Sequence, residues 1–302
     1  PDAEAREAAA LLRWMVADHF TFLGYREYRI ERRGRGQALV AQPQTGLGLL
    51  RPGHGDRPPP APLALKGAVL RFARSAAPIL IGKGNELSTV HRATYPDYVG
   101  VKIFDARGRA TGEHRFIGLW TSSAYHLSPR EIPLLRRKVA QVLAHFGLDP
   151  ASHDGKAVLN VIEDYPRDEL FQTPAADLVM TVRGIVNLYE RARTRLFMRR
   201  DPFGRFCSCL VYLPRERYHT DVRRQVETLL RGAVGGLQVT SQVQLSESAI
   251  ARLHVLVRTD PARPVRVLLG SGAGGSVDIP TRALAARLSA RFGVQFVVEN
   301  RP

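Results

Sequence analysis

The chain has 302 residues, 44% of them hydrophobic and 24% charged, which is the balance of an ordinary globular protein and not of a disordered or fibrous one. Its net charge of +16 comes from 44 basic against 28 acidic residues, but the arginines are scattered as pairs such as Arg32–Arg33, Arg136–Arg137, Arg199–Arg200 and Arg223–Arg224. That scatter predicts solvated faces and no nucleic-acid partner. No apolar run approaches the ~18 residues needed to cross a bilayer, and the opening PDAEAREAAALLRW has neither a basic n-region nor a cleavage site. No membrane partner is therefore expected, and the length predicts two domains or more.

In chain order, Ala8, Leu11, Leu12, Met15 and Val16 fall on one stripe and predict a helix over Glu4–Asp18. FTFLGYREYRIERR reads as a strand, with GRGQ as its turn. The tract RPGHGDRPPPAP, Arg51 to Pro62, holds neither a helix nor a central strand, because proline removes donors and fixes φ. Two further strands lie in YVGVKIFDARGRATGEHRFIGLW, reversed at Asp105–Arg109. SPREIPLLRRKVAQVLAHFG predicts a helix capped by Ser128, with Pro129 in its first turn and Glu131 closing the capping box. Its buried stripe is Ile132, Leu135, Val139, Val142, Leu143 and Phe146, and Gly147 ends it. Thr173 and Pro174 start another helix that runs towards Tyr189.

From Arg193 the hydrophobic period changes. TRLFMRR, a turn at Asp201–Gly204 and RFCSCLVYLP form a hairpin. The helix TDVRRQVETLLRGAV follows, and then the strands LQVTSQVQL and ARLHVLVRT. This ββαββ order predicts a helix packed on an antiparallel sheet. Cys207 and Cys209, the only cysteines, are two apart on a strand and so share a face as small buried side chains. No second Cys/His pair completes a zinc set, so no metal site is expected, and the scarcity of cysteine fits a reducing, cytoplasmic compartment.

The chemistry-bearing residues before position 260 read as structural. His91, His114, His126 and His153 lie on different elements without ligand spacing, and Ser122 and Ser123 lack the Gly-x-Ser-x-Gly elbow. Glu163, Asp164, Asp168 and Glu169 flank Pro166, where acids favour a helix N-terminus. No catalytic residue is expected. The remaining motif is VLLGSGAGGSVDIPTRALAARL, in which Gly270, Gly272 and Gly275 follow an apolar run and precede a helix, with Glu299 at the end of VQFVVE. Taken alone, those four residues are the pattern of a small dinucleotide-binding protein.

FTFLGYREY, VGVKIFDARGRATGEHRFIGLWTSSAYHLSPREIPLLRRKV, SHDGKAVLNVIEDYPRDELFQ and RLFMRRDPFGRFCSCLVYLPRERYHTDVRRQVE resemble the N-terminal region of the large bacterial NAD-specific glutamate dehydrogenases, over about residues 3–260. The resemblance implies an α+β fold with antiparallel sheets: an N-terminal helix over 1–19, a PAS-like region with helical segments over 20–192 and an ACT-like module over 193–260. It also implies a regulatory and assembly role, with an amino-acid effector, the rest of the dehydrogenase and a homo-oligomer as partners. In that family NAD is the cofactor for converting glutamate and water to 2-oxoglutarate and ammonium; within these residues no cofactor is expected. The lysines of such chemistry would lie elsewhere, since no Lys follows position 156.

RPVRVLLGSGAGGSVDIPTRALAARLSARFGVQFVVENRP resembles instead the start of the tripartite tricarboxylate transporter solute-binding proteins, over about 40 residues. There the turn of Gly274, Gly275, Ser276 and Asp278 would help to hold a small carboxylate at a helix N-terminus. Residues 261–302 would then be a truncated βαβ unit, joined near Asp260–Pro264 to an unrelated segment by gene fusion or sequence assembly error. Its apolar strands would need to dock on the upstream sheet.

Overall fold

The computed structural model describes the chain apart from residues 1, 2, 35, 54–59, 85, 86, 89, 92, 191, 192, 246, 247, 261–264, 270–273, 275–277, 293–295, 301 and 302. It is an α+β protein of two compact units, Pro1–Val179 and Met180–Pro302.

The first unit opens with α1 (Ala3–Trp14), which buries Ala8 and Leu11, and a kinked turn over Met15–His19. Asp18 there takes φ 62, so the chain leaves the helical path before the end of the predicted helix. β1 (Phe20–Arg33) and β2 (Gly36–Gly48) form a long hairpin at GRGQ, and β3 (Leu63–Ala64) adds two residues to its edge. α2 (Gly67–Arg74) and β4 (Ile79–Lys83) follow. β5 (Asp97–Phe104) and β6 (Ala110–Trp120) are the strands read from the sequence, turned at Asp105, whose carboxylate accepts the Arg107 and Arg109 N–H groups at 2.9 Å. The sheet is antiparallel throughout, in the order β3-β2-β1-β6-β5-β4. Of the proline-rich tract 51–62, residues 54–59 lie outside the described residues.

A helical run completes this unit: α3 (Ser122–His126), α4 (Leu135–Phe146), α5 (His153–Glu163), α6 (Arg167–Gln172) and α7 (Ala175–Glu190), the last crossing the boundary between the units. The capping box expected at Ser128 does not form, and α4 begins seven residues later. Pro133 disfavours helical backbone at Ile132 and supplies no N–H, and Leu134 sits at φ 68. Ser128 donates its hydroxyl to Glu163 Oε1 at 2.5 Å instead. The predicted end holds: Gly147 adopts φ 64 and its N–H caps the last turn of α4.

One face of the sheet meets this helical run through aromatic contacts. Trp120, buried, stacks on Phe171 of α6 at 4.7 Å and 10°, and touches Phe20 at 4.7 Å and Trp14 at 5.9 Å. On the other face Tyr28, Leu39 and Leu65 pack with Leu70 and Ala73 of α2. There too the Arg115 guanidinium lies 4.1 Å from the Tyr28 ring and 5.0 Å from Tyr98, paired with Glu113.

In the second unit β7 (Arg195–Arg200) and β8 (Phe206–Pro214) form the expected hairpin. α8 (Thr220–Ala233), β9 (Gln238–Gln244) and β10 (Ile250–Arg258) complete the ββαββ order as an antiparallel sheet, β7-β8-β10-β9. Alternation places Cys207, Cys209, Val211 and Leu213 on one face, opposite Ala251, Leu253, Val255 and Val257, and Leu230 of α8 with Val234 just beyond its end close that core. Burying each large aliphatic residue there contributes about 1.5–3 kcal/mol. The tail forms β11 (Val265–Leu269), α9 (Asp278–Phe292) and β12 (Phe296–Asn300), with β11 and β12 pairing in parallel. Within this unit β11 runs beside α8.

Candidate functional site

Three places in the fold bring chemistry-bearing side chains together. In the glycine loop, Gly270, Gly272, Gly275 and Ser276 lie outside the described residues. Gly274 takes φ 81 and donates its N–H to Asp278 Oδ2 at 2.8 Å. The same carboxylate accepts Arg282 Nε at 2.9 Å and Asn300 Nδ2 at 3.1 Å. Asp278 opens α9, and its charge occupies the positive end of that helix. The Arg282 bond, then that from the Gly274 N–H, hold the Asp278 carboxyl down at about 2. Glu299 lies on β12 opposite Leu268 and next to Asn300, which donates to Asp278.

The second place is a buried charge cluster in the first unit. β4 and β5 pair in the register that sets Lys83 against Asp97. Lys83 Nζ lies 2.7 Å from Asp97 Oδ1 and 2.9 Å from Asp168 Oδ2, the latter from the first turn of α6. Tyr125 of α3 donates its hydroxyl to Asp168 Oδ1 at 3.1 Å. The Asp97 side chain is only 2% exposed, that of Lys83 12% and that of Asp168 22%. Burial pushes the Asp97 carboxyl up to about 7, against the pull of Lys83. Burial opposes charge on Lys83, yet the Asp168 and Asp97 carboxylates outweigh it and raise its pKa. Burial, with Asp168 and Asp97 next, raises the Tyr125 phenol. The arrangement ties the sheet to two helices through charged and polar groups.

Sequence reasoning placed Asp168 and Glu169 correctly at a helix start but did not see the partner of Asp168. Lys83, Asp97 and Tyr125 belong to three separate segments, far apart along the chain.

The third place is an open groove of about 590 Å³ on the sheet of the first unit, lined by Phe22, Tyr25, Leu47, His114 and Phe116 over Gly24 and Gly48. Gly48 is required: its φ is +57, and a Cβ there would stand 2.3 Å from the Leu23 carbonyl oxygen. Tyr25 Oη and His114 Nδ1 share a 2.8 Å hydrogen bond. Of the other histidines singled out, His126 Nδ1 bonds the Ser122 carbonyl at 2.7 Å, His153 lies 3.4 Å from Asp154, and His91 holds φ 67 in a turn. Ser123 bonds Thr121, with no histidine among its bonds. Buried Ser208 and His254 meet at 2.9 Å on adjacent strands of the second sheet. Among the described residues no group of three or more His, Cys, Asp or Glu could hold a metal ion, and no helix is long and apolar enough to cross a membrane.

Comparison with known proteins gives two family matches that abut. Residues 132–191 match the model for glutamate dehydrogenase, helical motif 1, and residues 195–269 match that for glutamate dehydrogenase, ACT2 domain. The first takes in α4 to α7; the second takes in the ββαββ module and β11, past the boundary near 260 read from the sequence. The chain is similar to the NAD-specific glutamate dehydrogenase of Pseudomonas aeruginosa, 38% identical over 264 residues, which is 86% of this chain and 16% of the relative. The NAD-specific glutamate dehydrogenase of Mycobacterium tuberculosis is 32% identical over 255 residues, 84% of this chain and 14% of the relative. The chain thus spans about one-sixth of the length of these relatives. A separate similarity, 50% over 42 residues, is to a UPF0065 protein in gbd 5'region of Cupriavidus necator, covering 14% of this chain and 13% of the relative.

Proposed function

We propose that these residues are a regulatory and assembly segment of an NAD-specific glutamate dehydrogenase, with the hydride-transfer chemistry carried by parts of the enzyme outside them. The observation that carries this is the adjacency of the two glutamate dehydrogenase matches over 132–191 and 195–269. The geometry agrees in kind. The charged and polar groups of Lys83, Asp97, Asp168 and Tyr125 join secondary-structure elements to one another. A cytoplasmic homo-oligomer is part of the same reading, as is NAD as the cofactor of the whole enzyme. The test is absorbance at 340 nm with the purified 302-residue chain, glutamate and NAD. A flat trace is expected, and NADH formation proportional to protein would overturn the assignment.

Within that reading, the ββαββ module of residues 193–260 is the candidate to sense an amino acid. Calorimetry against the twenty amino acids should give saturable heat for at least one, and none at all would remove the sensing role. The tail over 261–302 we read as the start of a solute-binding protein from the resemblance of its glycine turn, and the similarity to a UPF0065 protein is of the same 42-residue length. Sequencing the DNA across the codons for Thr259 to Val265 decides between a genuine fusion and a dehydrogenase frame that runs on.

A further inference from the structure

We propose that Lys83, Asp97, Asp168 and Tyr125 form a proton-linked latch that fastens α6 to the six-stranded sheet. The proposal does not depend on the dehydrogenase reading. It starts from charge: one ammonium faces two carboxylates, so with every group ionised the cluster carries an uncompensated negative charge. A buried excess charge is expensive, and protonating one carboxyl relieves it.

No second cation comes to the cluster from the described elements packed around it. From β6 comes only the backbone N–H of Trp120, which bonds Asp97. From α3 come Tyr125, a donor to Asp168, and His126, whose Nδ1 is engaged by the Ser122 carbonyl. From α6 comes Arg167, whose Nη2 turns to the Tyr125 and Leu127 carbonyls at 3.3 and 3.0 Å. Lys138 of α4 is committed to the carbonyls of Leu170, Phe171 and Thr173. Lys83 is the one cation against the two acids among the described groups.

The proton belongs on Asp97, the deeper of the two carboxyls. With Asp97 neutral, Lys83 and Asp168 form a balanced pair between sheet and helix. With Asp97 ionised, Lys83 is divided between two acids, and the Asp97 charge repels Asp168. The sign follows from linkage. The folded carboxyl titrates near 7, above the ~3.9 of an unfolded Asp. The proton's contribution is therefore complete at acidic pH and lost as pH rises through about 7.

The experiment is amide hydrogen exchange on the full chain from pH 5.5 to 8.5, corrected for intrinsic exchange, read at the Leu170 and Thr173 amides. These close the α6 turns onto the Pro166 and Glu169 carbonyls. For one linked proton, protection should fall by up to ~10-fold per pH unit between the unfolded ~3.9 and the folded midpoint, and level off above about 7. In Asp97→Asn, which keeps the shape and removes the titration, the profile should be flat and remain at the acidic value. In Asp168→Asn protection should be low at every pH. A flat wild-type profile, or an Asp97→Asn profile that still slopes like wild type, overturns the latch. The carboxyl ¹³C shift of Asp97 in the unmodified protein decides the matter even if the variants fold poorly: a midpoint below 5 refutes the proposal.

Discussion

Lys138→Met removes one ammonium and keeps its aliphatic stem, and the consequence can be worked from three distances. Lys138 Nζ donates to the carbonyls of Leu170 at 2.6 Å, Phe171 at 2.9 Å and Thr173 at 2.8 Å, using all three of its protons to close the end of α6. These residues are 1%, 7% and 3% exposed, so water has poor access to the carbonyls left behind. A hydrogen bond to a charged group contributes about 1.5–3 kcal/mol, and a helix C-terminus adds about 0.3–1 kcal/mol for a cation. The three bonds share one ion whose desolvation is recovered in the variant, so the loss should be about 3 kcal/mol and not three times a single bond. Urea unfolding followed by tryptophan fluorescence reads it directly. Both tryptophans, Trp14 and Trp120, lie in the first unit, and Trp120 stacks on Phe171. With a slope of about 1–3 kcal/mol per M, the midpoint should fall by roughly 1–3 M. Lys138→Arg should fall in between, because a planar fork fits three converging carbonyls less well than a point charge. A Lys138→Met midpoint within ~0.3 M of wild type would show that the capping argument is wrong.

In the second unit, Leu253 is fully buried at the centre of the sheet. Leu253→Ala should lose about 2–5 kcal/mol and lower Tm by about 10 °C in a circular-dichroism melt, and a drop under about 3 °C would mean that the core collapses around the cavity. The tail should be acid-sensitive. The Asp278 carboxyl sits at about 2 in the fold, below its unfolded ~3.9, so its support for α9 is complete above pH 4 and lost as pH falls through about 2. Exchange protection of the α9 amides should decline from pH 4 to 2 in wild type and not in Asp278→Asn, and equal declines in both would refute that linkage.

Most strands were legible because their patterns are local. FTFLGYREYRIERR became β1 residue for residue, and RFCSCLVYLP announced a strand whose alternate side chains include both cysteines. The second strand, GQALVAQPQTGLG, was not read as one: its glutamines, proline and glycines mask a pattern that β1 imposes by pairing along its length. The helix after Ser128 began late because two backbone preferences competed. The capping-box residues favoured an early start, but Pro133 and the positive φ of Leu134 decided it. The charge cluster was the least legible feature. Lys83, Asp97, Tyr125 and Asp168 meet only once strand register and helix placement are fixed, and no short-range rule links positions so far apart.

The pairing of β1 with β6 sets Phe20 beside Trp120, a hundred residues downstream. β2 can close one edge of β1 as soon as the hairpin turns, but the other edge has no partner until β6 is made. At a synthesis rate of about 5–20 residues per second, that edge of the nascent chain waits roughly 5–20 s with Phe20 and Phe22 unpaired. The hairpin of β7 and β8 closes across a short turn at Asp201 and has no such delay. Contact order therefore assigns the slow phase of this sheet's folding to the pairing of β1 with β6. Truncations that end before Trp120 should leave ribosome-bound chains that aggregate through β1.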